Sequence, residues 1–161
     1  MNNQIRTKKR VKDLGEVFTA QREVNAMLDL IPLEKFTNPL STWLEPACGN
    51  GNFLIEILAR KLRHCPPNEF QDIYALKVVS SLYGVDIDQH NVDEAIQRLY
   101  TWLNDHVQSD RKEVFLKLAL QILHDNIQLG DFLNKENLYF TQYNWNKDNT
   151  YTISIWPATE I

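Results

Sequence analysis

The sequence predicts an α/β fold, because short apolar segments alternate along the chain with stretches of helical periodicity. Three segments have the composition of buried strands: Thr42–Glu45, Leu82–Val85 and Ile127–Leu129. Strands that are joined by helices usually run parallel in one sheet. We therefore expect a three-layer sandwich with a mainly parallel sheet, whose strands all end at the same edge.

Four amphipathic helices are predicted from apolar residues spaced three or four positions apart. They cover Gln21–Leu30, the stretch from a glycine-containing loop to about Arg63, the stretch opened by a capping box of Asn91 and Glu94, and Glu113 to about Leu123. The segment Ile73–Lys77 fits either a helical turn or a short strand. Asp105–Lys112 has the composition of a charged linker.

Length and composition predict one soluble domain. With 161 residues, of which 43% are hydrophobic, the chain can bury one core. We expect this domain over residues 14–161, after a flexible basic segment over residues 1–13. Cys48 and Cys65 are too few for a disulfide framework, and no His/Cys spacing predicts a metal site. No apolar stretch approaches the roughly 20 residues that span a bilayer, so we expect a cytoplasmic protein without membrane contact.

The net charge of −4 argues against a chain that binds DNA over a broad surface, since the neutralisation of phosphate charges supplies much of the affinity of proteins for nucleic acids. One basic cluster interrupts this pattern near the N-terminus. It consists of Arg6, Lys8, Lys9, Arg10 and Lys12. A solvated tail and a DNA or partner contact both fit such a cluster.

Residues 44–58, read as LEPACGNGNFLIEIL, have the pattern of a strand, a tight loop and a helix. The apolar run ends in a carboxylate, Glu45. Gly49 and Gly51 allow the backbone to turn sharply and a ligand to approach closely. The loop should lead into a helix N-terminus whose free amides face a crevice at the carboxyl end of the strands. Ordinary strand-to-helix turns also use glycine, so the loop alone leaves both interpretations open.

Four separated motifs extend this observation. They are Gly15-Glu16-Val17-Phe18-Thr19, followed by Ala20 where a proline is usual, Glu45-Pro46-Ala47-Cys48-Gly49-Asn50-Gly51-Asn52-Phe53, Tyr83-Gly84-Val85-Asp86-Ile87-Asp88, and Gly130-Asp131-Phe132-Leu133. In this order they resemble the motifs of S-adenosylmethionine-dependent DNA adenine-N6 methyltransferases of restriction-modification systems. The resemblance implies a Rossmann-like methyltransferase fold with S-adenosylmethionine as cofactor.

The resemblance also implies a cofactor site that draws on all four motifs. Its residues are Phe18, Thr19, Glu45, Pro46, Ala47, Cys48, Gly49, Gly51, Phe53, Asp86, Ile87, Asp131 and Phe132. Asp86 follows an apolar strand, where a carboxylate can accept both hydrogen bonds of a ribose diol. Capping of the next turn is the alternative role, and Asp88 or Asn91 fits that role better.

Two further motif segments have roles that the resemblance implies. Asp131 would accept a hydrogen bond from the adenine amino group and Phe132 would pack against the ring; a Gly-Asp turn beside a core Phe is the alternative. Thr19 would bind the methionine carboxylate, cap the first helix, or do both.

The C-terminal part departs from the family pattern. In the family a strand ends in Asn-Pro-Pro-aromatic, whose polar acceptors orient the adenine amino group while the aromatic ring stacks on the extruded base. Here Tyr151–Ile155 could be that strand, but Trp156-Pro157-Ala158-Thr159 follows, and Asn144-Trp145-Asn146 is no better match. The catalytic residues are therefore unknown, and we expect the sheet to be incomplete at the C-terminus.

Three interpretations remain open. The chain is the cofactor-binding part of a DNA methyltransferase that needs further sequence or a partner subunit to act on DNA. Alternatively, it is a cofactor-binding or regulatory subunit without catalysis, or a small methyltransferase that uses Trp156 or Tyr151 on a substrate other than DNA. The sequence does not predict the oligomeric state.

Overall fold

The computed structural model of the chain describes residues 19–160. The flexible segment predicted for residues 1–13 and the first motif up to Phe18 lie outside the described residues. No helix in the described part is long and apolar enough to cross a membrane.

The centre of the fold is a three-stranded parallel sheet. Its strands are β1 (Trp43–Glu45), β2 (Leu82–Asp86) and β3 (Ile127–Leu129), in the order β1-β2-β3. Glu45 lies opposite Gly84, and Asp86 lies opposite Leu129. The predicted α/β class and the parallel arrangement of these three strands are thereby confirmed.

Six helices lie in the described part of the chain. They are α1 (Gln21–Leu28), α2 (Glu34–Thr37), α3 (Asn52–Leu62), α4 (Gln71–Val79), α5 (Gln89–His106) and α6 (Lys112–Asn126). The segment Ile73–Lys77, which the sequence left open, belongs to α4. The predicted linker Asp105–Lys112 is shorter than expected, because α5 and α6 extend into it from both sides.

Two predicted helix caps are wrong. The helix after β2 begins at Gln89, and its N-cap is Asp88, whose side chain accepts from the His90 N–H. Asn91 lies inside that helix, buried, so the predicted capping box of Asn91 and Glu94 does not form. The N-cap of α1 is Ala20 rather than Thr19, and no side chain caps this helix.

A separate antiparallel hairpin follows the sheet. Its strands are β4 (Tyr139–Trp145) and β5 (Tyr151–Pro157), and a short 3-10 turn over Ala158–Glu160 follows. The predicted strand at Tyr151–Ile155 therefore exists, but it pairs with β4 and not with the parallel sheet. The strand β4 was not predicted.

The two faces of the sheet have different coverings. Leu82 packs into the main core with the helices, and a Cβ on Gly84 would meet Leu54 of α3. Tyr83 and Val85 point to the other face and form a second cluster with Leu138, Phe140 and Ala158 from the hairpin region. The Tyr83 hydroxyl donates to the carbonyl of Thr141 at 3.1 Å, which anchors the hairpin over this face.

The helix α3 shows how the sequence drives this packing. Its apolar residues recur at helical spacing, so that Leu54 and Leu58 have no exposed surface. Burial of one such side chain stabilises the fold by about 1.5–3 kcal/mol. Because α3 is held in this way, its N-terminus stays at the carboxyl edge of the sheet.

Candidate functional site

The loop between β1 and α3 has the backbone conformation that its glycines permit. Gly49 has φ 51° and Gly51 has φ 85°, and Gly51 is the N-cap of α3. A Cβ at Gly51 would lie 3.1 Å from the Cβ of Ala95 on α5 and 3.3 Å from its Cα. Only glycine satisfies both the positive φ and this close approach. The loop therefore packs closely against α5, at the contact between Gly51 and Ala95.

Hydrogen bonds join this loop to the end of β2. The Cys48 N–H donates to the Val85 carbonyl at 2.8 Å, and the Gly49 N–H donates to Asp86 Oδ2 at 2.8 Å. The other carboxylate oxygen of Asp86, Oδ1, accepts from the Asp88 N–H at 2.9 Å and from Asn91 Nδ2 at 3.1 Å. The carboxylate of Asp86 therefore bonds both to the loop between β1 and α3 and to the turn that follows β2.

This arrangement corrects one expectation about Asp86. The residue is only 9% exposed, and it caps the turn after β2 by accepting from the Asp88 N–H, whereas Asp88, one of the two residues that the sequence favoured for capping, caps the helix that follows. An ionised carboxylate has about four acceptor positions. Three of them are used by the contacts above, which leaves acceptor capacity for one further donor.

Burial changes the ionisation of two neighbouring groups. Burial, together with the charges of Asp86 and Glu45, raises the pKa of the Cys48 thiol to about 12. This thiol is protonated at neutral pH and is not a nucleophile. Burial also raises the pKa of Glu45, while a hydrogen bond from the Ala47 backbone acts in the opposite direction.

Glu45 and Phe53, two of the predicted residues, line one cavity of about 190 Å³. The rest of its lining is apolar and comes from α1, β1, α3 and Ile31, which follows α1. Glu45 is thus the one charged residue that lines this otherwise apolar space.

The fourth motif, Gly130-Asp131-Phe132-Leu133, reaches the same edge of the sheet. The Gly130 N–H donates to the Asp86 carbonyl at 2.9 Å, so Asp131 follows directly beside the end of β2. Asp131 is exposed, and its Oδ1 accepts from the Leu133 N–H at 2.9 Å, as in a local turn. Phe132 packs partly against the cluster on the hairpin face, with Lys135 Nζ 4.8 Å from its ring centroid. Ile87 is 57% exposed at this edge.

Sequence reasoning missed the residues that hold the loop from outside. Arg98 on α5 donates to the Asn50 carbonyl at 2.6 Å and to Asn52 Oδ1 at 2.9 Å. Asn50 Nδ2 in turn donates to Glu94 at 3.0 Å. Asn52 Nδ2 donates to the Thr19 carbonyl at 3.0 Å, which brings Thr19 to the start of α3. The contacts to the Asn50 and Thr19 carbonyls use backbone oxygens, which every residue carries. No sequence pattern therefore predicts them.

The structure thus brings together Glu45, Cys48, Gly49, Asp86 and Asp131 at one edge. Pro46 and Ala47 lie exposed in the turn after β1, and Phe18 lies outside the described residues. Among residues 19–160, no group of three His, Cys, Asp or Glu side chains could hold a metal ion.

The assembled groups can accept hydrogen bonds and attract positive charge. No Lys, Arg or His side chain within residues 19–160 forms an ion pair with Glu45 or Asp86. No family model, curated protein or solved structure matches this chain.

Proposed function

We propose that the chain binds S-adenosylmethionine at the carboxyl edge of its sheet, as the cofactor-binding part of a DNA adenine-N6 methyltransferase with a Rossmann-like methyltransferase fold. One observation carries the proposal. Two carboxylates, Glu45 and Asp86, flank a positive-φ loop where a parallel sheet meets a helix N-terminus. Ligands of open α/β sheets bind at this position.

The charge of the site favours this cofactor over a dinucleotide. S-adenosylmethionine carries a sulfonium and an ammonium group, whereas a dinucleotide carries an anionic pyrophosphate. Glu45 is partly buried, and its raised pKa reflects lost hydration that a bound cation would replace. Arg98, the basic residue nearest this loop in the contacts described above, is directed at the loop backbone and at Asn52.

The ribose is the part of the cofactor assigned to Asp86. Its carboxylate keeps acceptor capacity beyond the contacts to Gly49, Asp88 and Asn91. Asp131 and Ile87 lie at the same edge, where they would meet the adenine through its amino group and its ring face. In this proposal the nucleoside of the cofactor would lie across the carboxyl ends of β2 and β3.

Calorimetric titration of the purified chain with S-adenosylmethionine and with its demethylated product tests this proposal. We expect binding by the wild type and a ten- to a hundredfold weaker affinity for Asp86→Ala, since the loss of one hydrogen bond from a ribose hydroxyl to a carboxylate costs on the order of 1.5–3 kcal/mol. Asp93→Ala is the matched control, because Asp93 is exposed on α5 and bonds to Gln89. A folded wild type that binds neither ligand, or that binds NAD more tightly, would refute the proposal.

One observation favours a second candidate, a cofactor-binding or regulatory subunit that does not catalyse transfer. The segment Tyr151–Pro157, where an acceptor motif was sought, pairs with β4 away from the parallel sheet. In the sequence, Ile155 and not an asparagine or aspartate precedes Trp156-Pro157, and the side chain of Asn144 on β4 donates to Ser154 Oγ at 3.0 Å. In the first candidate, further sequence or another chain supplies this motif; in the second, none is needed.

A further inference from the structure

The β4–β5 hairpin differs from the rest of the chain in its charge. Neither strand contains Asp, Glu, Lys or Arg, whereas charged residues make up 24% of the chain. In the sequence, the charged residues that flank β5 most closely are Lys147 and Asp148 in the hairpin turn and Glu160 after the strand. Within residues 19–160, β5 pairs only with β4, so its outer edge has no strand partner there.

Hydrogen bonds at both ends of the hairpin show which backbone groups point inward. The Asn146 N–H donates to the Thr150 carbonyl at 2.8 Å, and the Ala158 N–H donates to the Leu138 carbonyl at 2.8 Å. Both pairs continue the register of the β4–β5 ladder. In an antiparallel ladder, hydrogen-bonded and non-hydrogen-bonded pairs alternate. The even-numbered residues of β5 therefore bond to β4.

The odd-numbered residues Tyr151, Ile153 and Ile155 consequently direct their N–H and C=O groups away from β4. Ile153 is 50% exposed and Ile155 is 67% exposed. Proteins usually protect such an edge with lysine, proline or a bulge. In β5 only Pro157, at the last position, has this effect. Among residues 19–160, the outer edge thus has no backbone partner for these groups, which lie beside exposed apolar side chains.

We propose that this edge binds a second copy of the same chain, by antiparallel pairing of β5 with β5 into a four-stranded sheet. A two-fold axis maps an antiparallel strand pair onto itself, so each copy supplies the donors and acceptors that the other needs. Uncharged strands meet without repulsion, although the whole chain has a net charge of −4. This proposal does not depend on cofactor binding.

The register follows from the N–H groups. Pairing centred on Ile153 places it opposite its own copy and places Tyr151 opposite Ile155, so all three outward N–H groups are used and Pro157 is not. Asp148 is bound in its own turn by the Thr150 hydroxyl at 2.7 Å. Lys147, Asp148 and Glu160 all lie in the turns beyond the paired residues, so the segment that pairs across the axis is itself uncharged.

The test is sedimentation velocity of the 161-residue chain over a wide concentration range, with circular dichroism to check folding. Ile153→Lys places two like charges directly opposite each other, which is destabilising in a cross-strand pair. Asn144→Lys is the matched control, because it adds the same charge to the hairpin at an exposed position of β4, which takes no part in the β5–β5 pairing. Ile155→Pro is a second variant, which removes an outward N–H without removing a bond to β4.

We expect a concentration-dependent dimer for the wild type and for Asn144→Lys. Ile153→Lys and Ile155→Pro should each raise the dimer dissociation constant at least tenfold. Ile153→Glu alone should behave like Ile153→Lys, and an equimolar mixture of the two should restore the dimer as a heterodimer. A wild type that stays monomeric throughout, or a folded Ile153→Lys that dimerises as well as Asn144→Lys, would overturn the proposal.

Discussion

Lys61 is a charged residue placed in the core, with no exposed surface. Its Nζ donates to the Ser41 carbonyl at 2.6 Å and to Ser81 Oγ at 2.7 Å, at the amino ends of β1 and β2. No ion pair to Lys61 occurs within residues 19–160. Burial therefore lowers the pKa of Lys61 from its usual 10.5 to about 7.

The lowered pKa of Lys61 predicts a pH-dependent stability. Between about pH 7 and 10.5 the unfolded chain binds the proton that the folded chain has lost, so stability rises with pH through this range and is insensitive to Lys61 below it. The slope due to this residue is at most about 1.4 kcal/mol per pH unit. Urea denaturation between pH 6 and 9 measures it.

Lys61→Met should abolish this part of the slope, because methionine fills a similar volume and does not titrate. Lys35→Met is the control, since Lys35 is exposed on α2 and its substitution should leave the slope unchanged. An unchanged slope in Lys61→Met would show that the buried amine is not the source of the pH dependence.

At the scale of elements, α5 supports the loop that the proposed cofactor would contact. Arg98 donates hydrogen bonds to the Asn50 carbonyl and to Asn52 Oδ1, and Ala95 packs closely against Gly51. Burial lowers the pKa of Arg98, opposed by the charge of Glu94, but the guanidinium stays charged at physiological pH. Its hydrogen bonds are therefore charge-assisted and stronger than neutral ones.

Arg98→Met should lower the free energy of unfolding by about 1.5–3 kcal/mol and weaken S-adenosylmethionine binding, since the loop loses its outer support. Arg98 acts here as a positioning residue, so Arg98→Lys should recover part of the cofactor affinity. Denaturant unfolding and calorimetry measure the two effects separately. Arg22→Met is the control, because the Arg22 side chain is 91% exposed. Cofactor affinity that is equal in Arg98→Met and wild type would exclude the positioning role.

At the scale of the whole molecule, the described residues hold a proposed donor site without an acceptor site. Methyl transfer to adenine needs an oriented amino group and polar acceptors that stabilise it. The hairpin places Trp156 in a groove of about 280 Å³ with Tyr83, Phe140 and Gln142, on the face of the sheet away from the helices. This groove contains no asparagine or aspartate of the family's acceptor type.

We predict that the 161-residue chain alone transfers no methyl group to DNA above background. Tritiated methyl transfer to unmethylated genomic DNA is the assay, because mixed DNA contains most recognition sites. Added sequence or a partner with an Asn-Pro-Pro-aromatic motif should be required for labelling. Robust labelling by the chain alone that disappears in Asp86→Ala would contradict this prediction and point to Tyr151–Thr159 as an acceptor site.

The sequence by itself determined the parallel sheet and the shared edge of its strand ends. The alternation of apolar strands with amphipathic helices is a local signal, since burial requires the same spacing wherever the element lies. The loop of Gly49 and Gly51 was predicted for the same reason, because positive φ depends on residue type. The hairpin had a local signal that was missed, namely two β-prone runs that flank the turn Asn146–Thr150.

Only the tertiary structure decided what each polar group contacts. Asp86 bonds to Gly49, which is 37 residues away, and Arg98 bonds to Asn50, which is 48 residues away. Neither contact has a sequence pattern, because the acceptors and donors include backbone groups that every residue carries. The pairing of β5 with β4 in place of the sheet was likewise decided by packing, since a β-prone segment satisfies its backbone equally well in either sheet and long-range burial makes the choice.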